Sequence, residues 1–327
     1  MKPFDYRRAT SGHDATAMFA EPGTLAIAGG TNLIDLMKLQ VEVPSRLVDI
    51  NGLDLAEIVE SGDGLTIGTL VSNTDVAVDA RIRADYPVLA KAILAGATQQ
   101  LRNKASVGGN LGQRTRCPYF TNIDQPCNKR EPGSGCGAIT GVSRIHAILG
   151  TSKYCIATYP SDMAVALAVL DAQVEILGAD GANRTISVRD FHRLPGDRPE
   201  QDNILEAGDL ITSVRLPPPV GGTQIYRKVR ERSSYAFALC SVAAIVAMDG
   251  GRMARADLAF GSIAQKPWVD DRLSTLMVGE KPSIALFDKA ADLLLEEARG
   301  HGDNDFKIPL VRRTLLATLC DATGVNA

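Results

Sequence analysis

The chain has 327 residues, a length that suits two domains or one large domain with an insertion. Hydrophobic residues make up 45% and charged residues 22%, which excludes a disordered chain. Lys and Arg total 35 against 38 Asp and Glu, so the basic excess of a dedicated nucleic-acid binder is missing. The N-terminal stretch has no apolar segment after a basic start, which argues against a secretory signal, and no apolar run is long enough to predict a membrane span. Read alone, the chain belongs in a reducing compartment, unless a partner carries the export signal for both. Six cysteines are too few for a disulfide scaffold in a chain of this size.

TLAIA (24–28) reads as a buried strand, followed by GGTN and by LIDLMKLQ with apolar residues at helical spacing. SRLVDI (45–50) and GLTIGTLV (64–71) are two more strands. Residues 73–96 predict helix, broken near Pro87. Residues 112–157 are rich in Gly, Pro, Asn and Arg and too long for an ordinary connection, so they read as a functional loop. PSDMAVALAVLDA (160–172) is a helix capped by Ser161 or Asp162. QVEIL (173–177) and TISV (185–188) pair across a GADGANR turn. LITSVRL (210–216) stops at three prolines, and PPPVGG (217–222) predicts the boundary between domains 1–219 and 220–327. CSVAAIVAMD (240–249) and RMARADLAFGSIA (252–264) are strands joined by a DGG turn, with helices over 267–277, 283–299 and 308–320. YRKVRER (226–232) reads as an exposed charged strand or as a segment aiming Lys228 or Arg230 at an anionic group.

Two glycine loops stand out. AIAGGTN (26–32) ends a strand and opens a helix; Gly29 and Gly30 would let a ligand touch the backbone, and the following amides would face a phosphate. On this motif alone, a plain strand-to-helix turn that needs two glycines for its geometry is the preferred reading. LRNKASVGGNLG (101–112) repeats the paired glycines at Gly108 and Gly109, which fits a ligand with two phosphates. No GxxxxGK[ST] is present, and GSGCGA (133–138) follows a Pro-rich loop rather than a strand, so P-loop and Rossmann readings both fail.

Cys117, Cys127, Cys136 and Cys155 are separated by nine, eight and eighteen residues, which matches neither zinc ribbons nor bacterial ferredoxins. Their context says more: a long loop without a core of its own needs a staple. An iron–sulfur cluster, a zinc ion or two disulfides would each supply one. Arg114, Arg116, Lys129 and Arg130 would offset an anionic thiolate cluster, or are solvated loop charges. Cys240 and Cys320 sit in apolar patterns and read as buried thiols. His146 reads as a surface histidine, with a supporting role near the cysteines as the alternative. No GxSxG elbow or HExxH pair is present, and no acid–base residue is assigned.

AGGTNLIDLMK, QLRNKASVGGNL, YPSDMAVALAVLDA and IYRKVRERSSYAFALCSVAAI occur in that order and together resemble the FAD-binding medium subunit of the molybdenum hydroxylases, the xanthine dehydrogenase and carbon monoxide dehydrogenase family. The resemblance covers nearly the whole chain. It implies an α+β fold: a vanillyl-alcohol-oxidase-type FAD domain in two subdomains, then a small α+β C-terminal domain of the CO dehydrogenase flavoprotein type. It implies that Ala26, Ile27, Ala28, Gly29, Gly30, Thr31, Asn32, Leu33 and Ile34 wrap the FAD pyrophosphate, with Ser106, Gly108, Gly109 and Asn110 as the second wall. It implies that Asp162 falls where the family has an FAD-contacting aspartate and Lys228 where it has a lysine near the flavin, with Ile211 or Thr212 touching the isoalloxazine through the backbone. The cysteine insertion resembles the FAD subunit of periplasmic-type bacterial aldehyde oxidoreductases, implying a [4Fe–4S] cluster on Cys117, Cys127, Cys136 and Cys155 at about 112–157. The flavoprotein subunit of 4-hydroxybenzoyl-CoA reductase also carries a cluster, in a loop elsewhere in its chain, and ranks second. The implied complex is a heterotrimer: a large molybdenum-cofactor subunit oxidises an aldehyde, a small subunit relays electrons through two [2Fe–2S] clusters, and this chain passes them through FAD to an external acceptor. The implied compartment is the periplasm. No nicotinamide fingerprint is present, which points away from NAD. A non-redox module with structural zinc is the rival from another class.

Overall fold

The structure is a computed structural model that describes residues 1–326. Its first sheet is parallel, built from β1 (Asp5–Arg8), β2 (Thr24–Ile27) and β3 (Arg46–Asp49) in the order β1-β3-β2. Parallel strands need crossovers, and helices Gly12–Phe19 and Leu33–Lys38 supply them. The second sheet is antiparallel: β4 (Ile58–Ser61), β5 (Gly64–Gly68), β6 (Gln173–Leu177), β7 (Asn183–Ser187) and β8 (Leu210–Leu216), in the order β4-β5-β8-β6-β7. The third comprises β9 (Thr223–Val229), β10 (Cys240–Asp249) and β11 (Arg252–Gly261), with β10 in the centre.

The third sheet is buried on both faces, and β10 shows why. Val242, Ala244 and Val246 face a core shared with helices Ile284–Leu295 and Lys307–Thr323. Ala243 and Ile245 face the opposite core, around helix Asp162–Val169 and the β5, β6 and β8 strands. The period-two alternation of a strand thus welds the C-terminal part onto the part before it.

The elements differ from expectation where tertiary contacts decide. The 64–71 strand ends at Gly68, where a side chain would overlap the Leu55 carbonyl. The 73–96 helix is three helices, Asn73–Val78, Ala80–Asp85 and Pro87–Ala95. Asp79 makes the extra break: its carboxylate accepts from the amides of Arg81 at 2.9 Å and Ile82 at 3.2 Å, capping the second helix. Pro87 opens the third, where its missing N–H is an orphan anyway. The 267–277 helix begins at Asp271 because Trp268 pairs with Phe260 through both backbone bonds. The 112–157 segment has a core after all. Cys117, Phe120, Cys127, Ala138, Cys155, Ile156 and Ala157 bury one another with Leu36, so the cysteines themselves fill the loop.

Candidate cofactor sites

The two glycine loops lie against each other. A side chain at Gly29 would overlap the Lys104 carbonyl, and one at Gly108 would overlap the Thr69 hydroxyl. These glycines are therefore demanded by loop-on-loop packing. Gly30 has φ +72°, the left-handed region that favours glycine. Among the described residues the amides of Gly29, Gly30, Thr31, Asn32 and Leu33 have no hydrogen-bond partner. Successive unpaired amides of this kind make a concavity for anions. The second loop is different. Its amides are spent inside the chain: Val107 on Val71 at 3.0 Å, Gly108 on Thr69 at 2.9 Å and Gly109 on the Ser106 hydroxyl at 3.2 Å. The first loop supplies donors, and the second buttresses it.

A cleft of about 340 Å³ opens here, lined by residues 25–33 with Ser106, Gly108, Gly109, Arg114 and Ile211. Its size suits a ligand pocket, which spans roughly 300–1,000 Å³. Ile34 does not line it; its side chain packs where a Gly30 side chain would stand. Ile211 reaches the cleft because β8 carries a bulge: Ser213 faces Glu175 and Ile211 faces Ile176, leaving Thr212 as the extra residue. A second cavity of about 390 Å³ is lined by Asn73, Asn110, Asp162, Lys228, Tyr235 and Phe237, and shares Thr31, Asn32 and Gly109 with the first.

Asp162 and Lys228 are bound to each other. Lys228 Nζ lies 2.8 Å from the Asp162 carboxylate, and both side chains are buried. Tyr226 donates its hydroxyl to the same carboxylate at 2.5 Å. Burial and the Asp162 charge push the Tyr226 phenol well above its ordinary value, so it remains a donor. Ser161 is the helix cap, accepting from the Ala164 amide at 2.9 Å, which frees Asp162 for this cluster. Period-two alternation in YRKVRER puts Tyr226 and Lys228 on one face, a signal that reading the stretch as a charged strand overlooked.

Cys117, Cys127, Cys136 and Cys155 line one small pocket, and all are free thiols. Cys127 and Cys136 face each other across a β-bridge. Burial pushes the Cys117 thiol up to about 12 and the Cys155 thiol up to about 11, with Lys129 opposing the second shift. Such thiols stay protonated unless a cation takes the proton's place. The nearby cations are engaged by protein groups rather than standing free in the loop. Lys129, with a side chain 1% exposed, donates to Asp202 at 2.6 Å and to the Pro199 carbonyl at 2.7 Å. Arg114 bridges Asp202 at 2.8 Å and Glu42 at 2.6 Å. Arg130 ties the carbonyls of Tyr119 and Phe120, and Arg116 stacks on Phe237. Asp202, unremarked in the sequence, joins the two sites: Arg114 lines the cleft and Lys129 lines the cysteine pocket. His146 is 1% exposed rather than a surface residue, and its Nε2 lies 3.1 Å from Cys117 Sγ. Burial pushes its imidazole down to about 4.

A family model described as the FAD binding domain in molybdopterin dehydrogenase matches residues 2–219, and the CO dehydrogenase flavoprotein C-terminal domain matches 224–320. The aldehyde oxidoreductase FAD-binding subunit PaoB of Escherichia coli (strain K12) is 51% identical over 327 residues, covering 98% of this chain and 99% of that protein. The carbon monoxide dehydrogenase medium chain of Afipia carboxidovorans is 26% identical, covering 96% and 92%. The solved CO dehydrogenase from Oligotropha carboxidovorans shares the fold, with a TM-score of 0.77 at 22% identity and 99% of each chain covered. Quinoline 2-oxidoreductase from Pseudomonas putida 86 gives 0.75 at 25% identity, again over 99% of both chains. The chain belongs to the FAD-binding subunits of the xanthine dehydrogenase family of molybdenum hydroxylases.

Proposed function

We propose that this chain is the FAD-bearing electron-transfer subunit of a heterotrimeric, molybdenum-dependent aldehyde oxidoreductase, divided into domains 1–219 and 220–327. Family membership and the 51% identity to an aldehyde oxidoreductase subunit support the activity and the two partners. The carrying observation for FAD is the run of unpaired amides at 29–33 beside two cavities that share Thr31, Asn32 and Gly109 in their walls. Bound FAD supplies hydride and one-electron chemistry. The chain's own residues hold it: the amides receive its anionic part, Ile211 and Leu33 give apolar walls, and the Asp162–Lys228–Tyr226 cluster fixes the floor of the second cavity.

The same reading places a [4Fe–4S] cluster on Cys117, Cys127, Cys136 and Cys155. Four free thiols around one pocket support it. Among the described residues no group of three or more His, Cys, Asp or Glu side chains is placed to hold a single metal ion. The cluster's part is to staple the loop or to act as a side relay. We place the complex in the periplasm, exported by a signal on a partner; among the described residues no helix is long and apolar enough to cross a membrane.

The test is anaerobic mixing of an aldehyde with the assembled complex and with this chain alone. Flavin bleaching in the complex and none in the isolated chain is the expected result. Turnover of a small substrate by the isolated chain would establish a stand-alone flavoenzyme instead.

A further inference from the structure

His146 is neither a proposed cluster ligand nor a flavin contact, yet its backbone amide and carbonyl are both tied down. Its amide donates to the Ser143 carbonyl at 2.9 Å, and the next amide, of Ala147, donates to Ile156 at 2.9 Å. Its own carbonyl accepts from Lys307 Nζ at 2.9 Å and from Asn304 Nδ2 at 3.1 Å. Both donors are fully buried and belong to the C-terminal part. Lys307 also grips the Ser262 carbonyl at 2.8 Å, so the clamp is anchored on the third sheet's side of the molecule. The ring is left with one partner, Cys117 Sγ at 3.1 Å from Nε2. Nδ1 has none among the described residues.

We propose that His146 is a positioning residue for the iron–sulfur site, donating Nε2–H to the Cys117 sulfur and raising the cluster's reduction potential. The inference rests on the cluster reading given under the proposed function. A ligating cysteine is a thiolate and can only accept. The alternative tautomer would strand a buried N–H on Nδ1, which is the rarer and costlier orphan. A hydrogen bond to a ligand sulfur stabilises the more negative, reduced state, and such bonds are among the factors that set cluster potentials. Because Asn304 and Lys307 fix the ring's backbone, the C-terminal part sets the sulfur's surroundings from outside the loop.

The test is a redox titration of the full chain, purified anaerobically and followed by electron paramagnetic resonance, for wild type, His146→Phe and His146→Gln. His146→Phe should keep its iron and titrate at a lower potential than wild type. His146→Gln, which restores an N–H donor, should recover part of the shift. Equal potentials at equal iron content would overturn the proposal. If His146→Phe assembles no cluster, wild type labelled with ¹⁵N-histidine decides: a weak ¹⁵N coupling to the reduced cluster is expected, and its absence overturns the donor role. Wild type without iron overturns the cluster reading itself, a failure that the iron assay separates from the first.

Discussion

The glycine cleft and the cysteine pocket meet at one carboxylate, Asp202, but are made of opposite materials. The cleft is backbone: five unpaired amides, shaped by folding and ready before a ligand arrives. The pocket is side chain: four thiols in an apolar core, two of them pushed by burial to about 12 and about 11. The first needs only correct packing of two loops. The second becomes a ligand set only when metal displaces protons, so its assembly is coupled to the metal. The network between them, Glu42–Arg114–Asp202–Lys129, holds one buried and one half-buried cation beside the two sites.

Substitutions can pull the two halves apart. The largest effect is expected at the cysteines: Cys127→Ser should reduce iron content to background while FAD content is retained. Parallel loss of flavin, measured on the same preparation, would mean the two sites are one cooperative unit. Asp202→Ala comes next, since it leaves the buried Lys129 charge without its counterion and takes one of two carboxylates from Arg114, which keeps Glu42; losing a buried partner costs about 3–5 kcal/mol. Thermal unfolding should show it, with flavin and iron both loosened. Burial raises the Asp202 carboxyl, but the Lys129 and Arg114 charges outweigh that and hold it below its ordinary value. Its contribution is therefore full above the unfolded-state value of about 3.9 and fades as pH falls through the lower folded-state value. Asp202→Asn should flatten that acid limb of the stability curve.

Gly29→Ala should cost about 1–3 kcal/mol or more by overpacking and should lower FAD content without touching iron. Gly109→Ala is the control for it, because a side chain there would meet only the Ser106 hydroxyl, at 3.0 Å. Equal flavin loss in both would point to ligand contact rather than loop packing as the reason for the glycines. The smallest effect belongs to Ser161→Ala, which removes a helix cap worth about 0.5–2 kcal/mol and the bond that ties this helix to Asn110. Denaturant unfolding should register that loss with little change in either cofactor.

What the sequence revealed follows the same division. Local signals were legible: the strands around the glycine loops, a helix cap at Ser161 or Asp162 and the β10 strand all declare themselves within a few residues, although only the structure decides for Ser161. The cysteines were legible as a residue type gathered in one loop, but their role in filling that loop's core was not. Asp202 was invisible, because its partners Arg114 and Lys129 lie far away in the chain and reach it only after folding. His146 was misread for the same reason. The bonds that bury it come from Asn304 and Lys307, more than a hundred residues later. Local propensity cannot report a contact that tertiary packing alone creates.

The most direct test of the central claim is an absorption spectrum with flavin, iron and acid-labile sulfide analysis of the anaerobically purified chain. The account predicts a single FAD and about four irons per chain, as a four-cysteine cluster requires. FAD without iron would contradict the cluster and leave 117–155 as a loop held by its thiols alone. A folded chain with neither flavin nor iron would contradict the account as a whole.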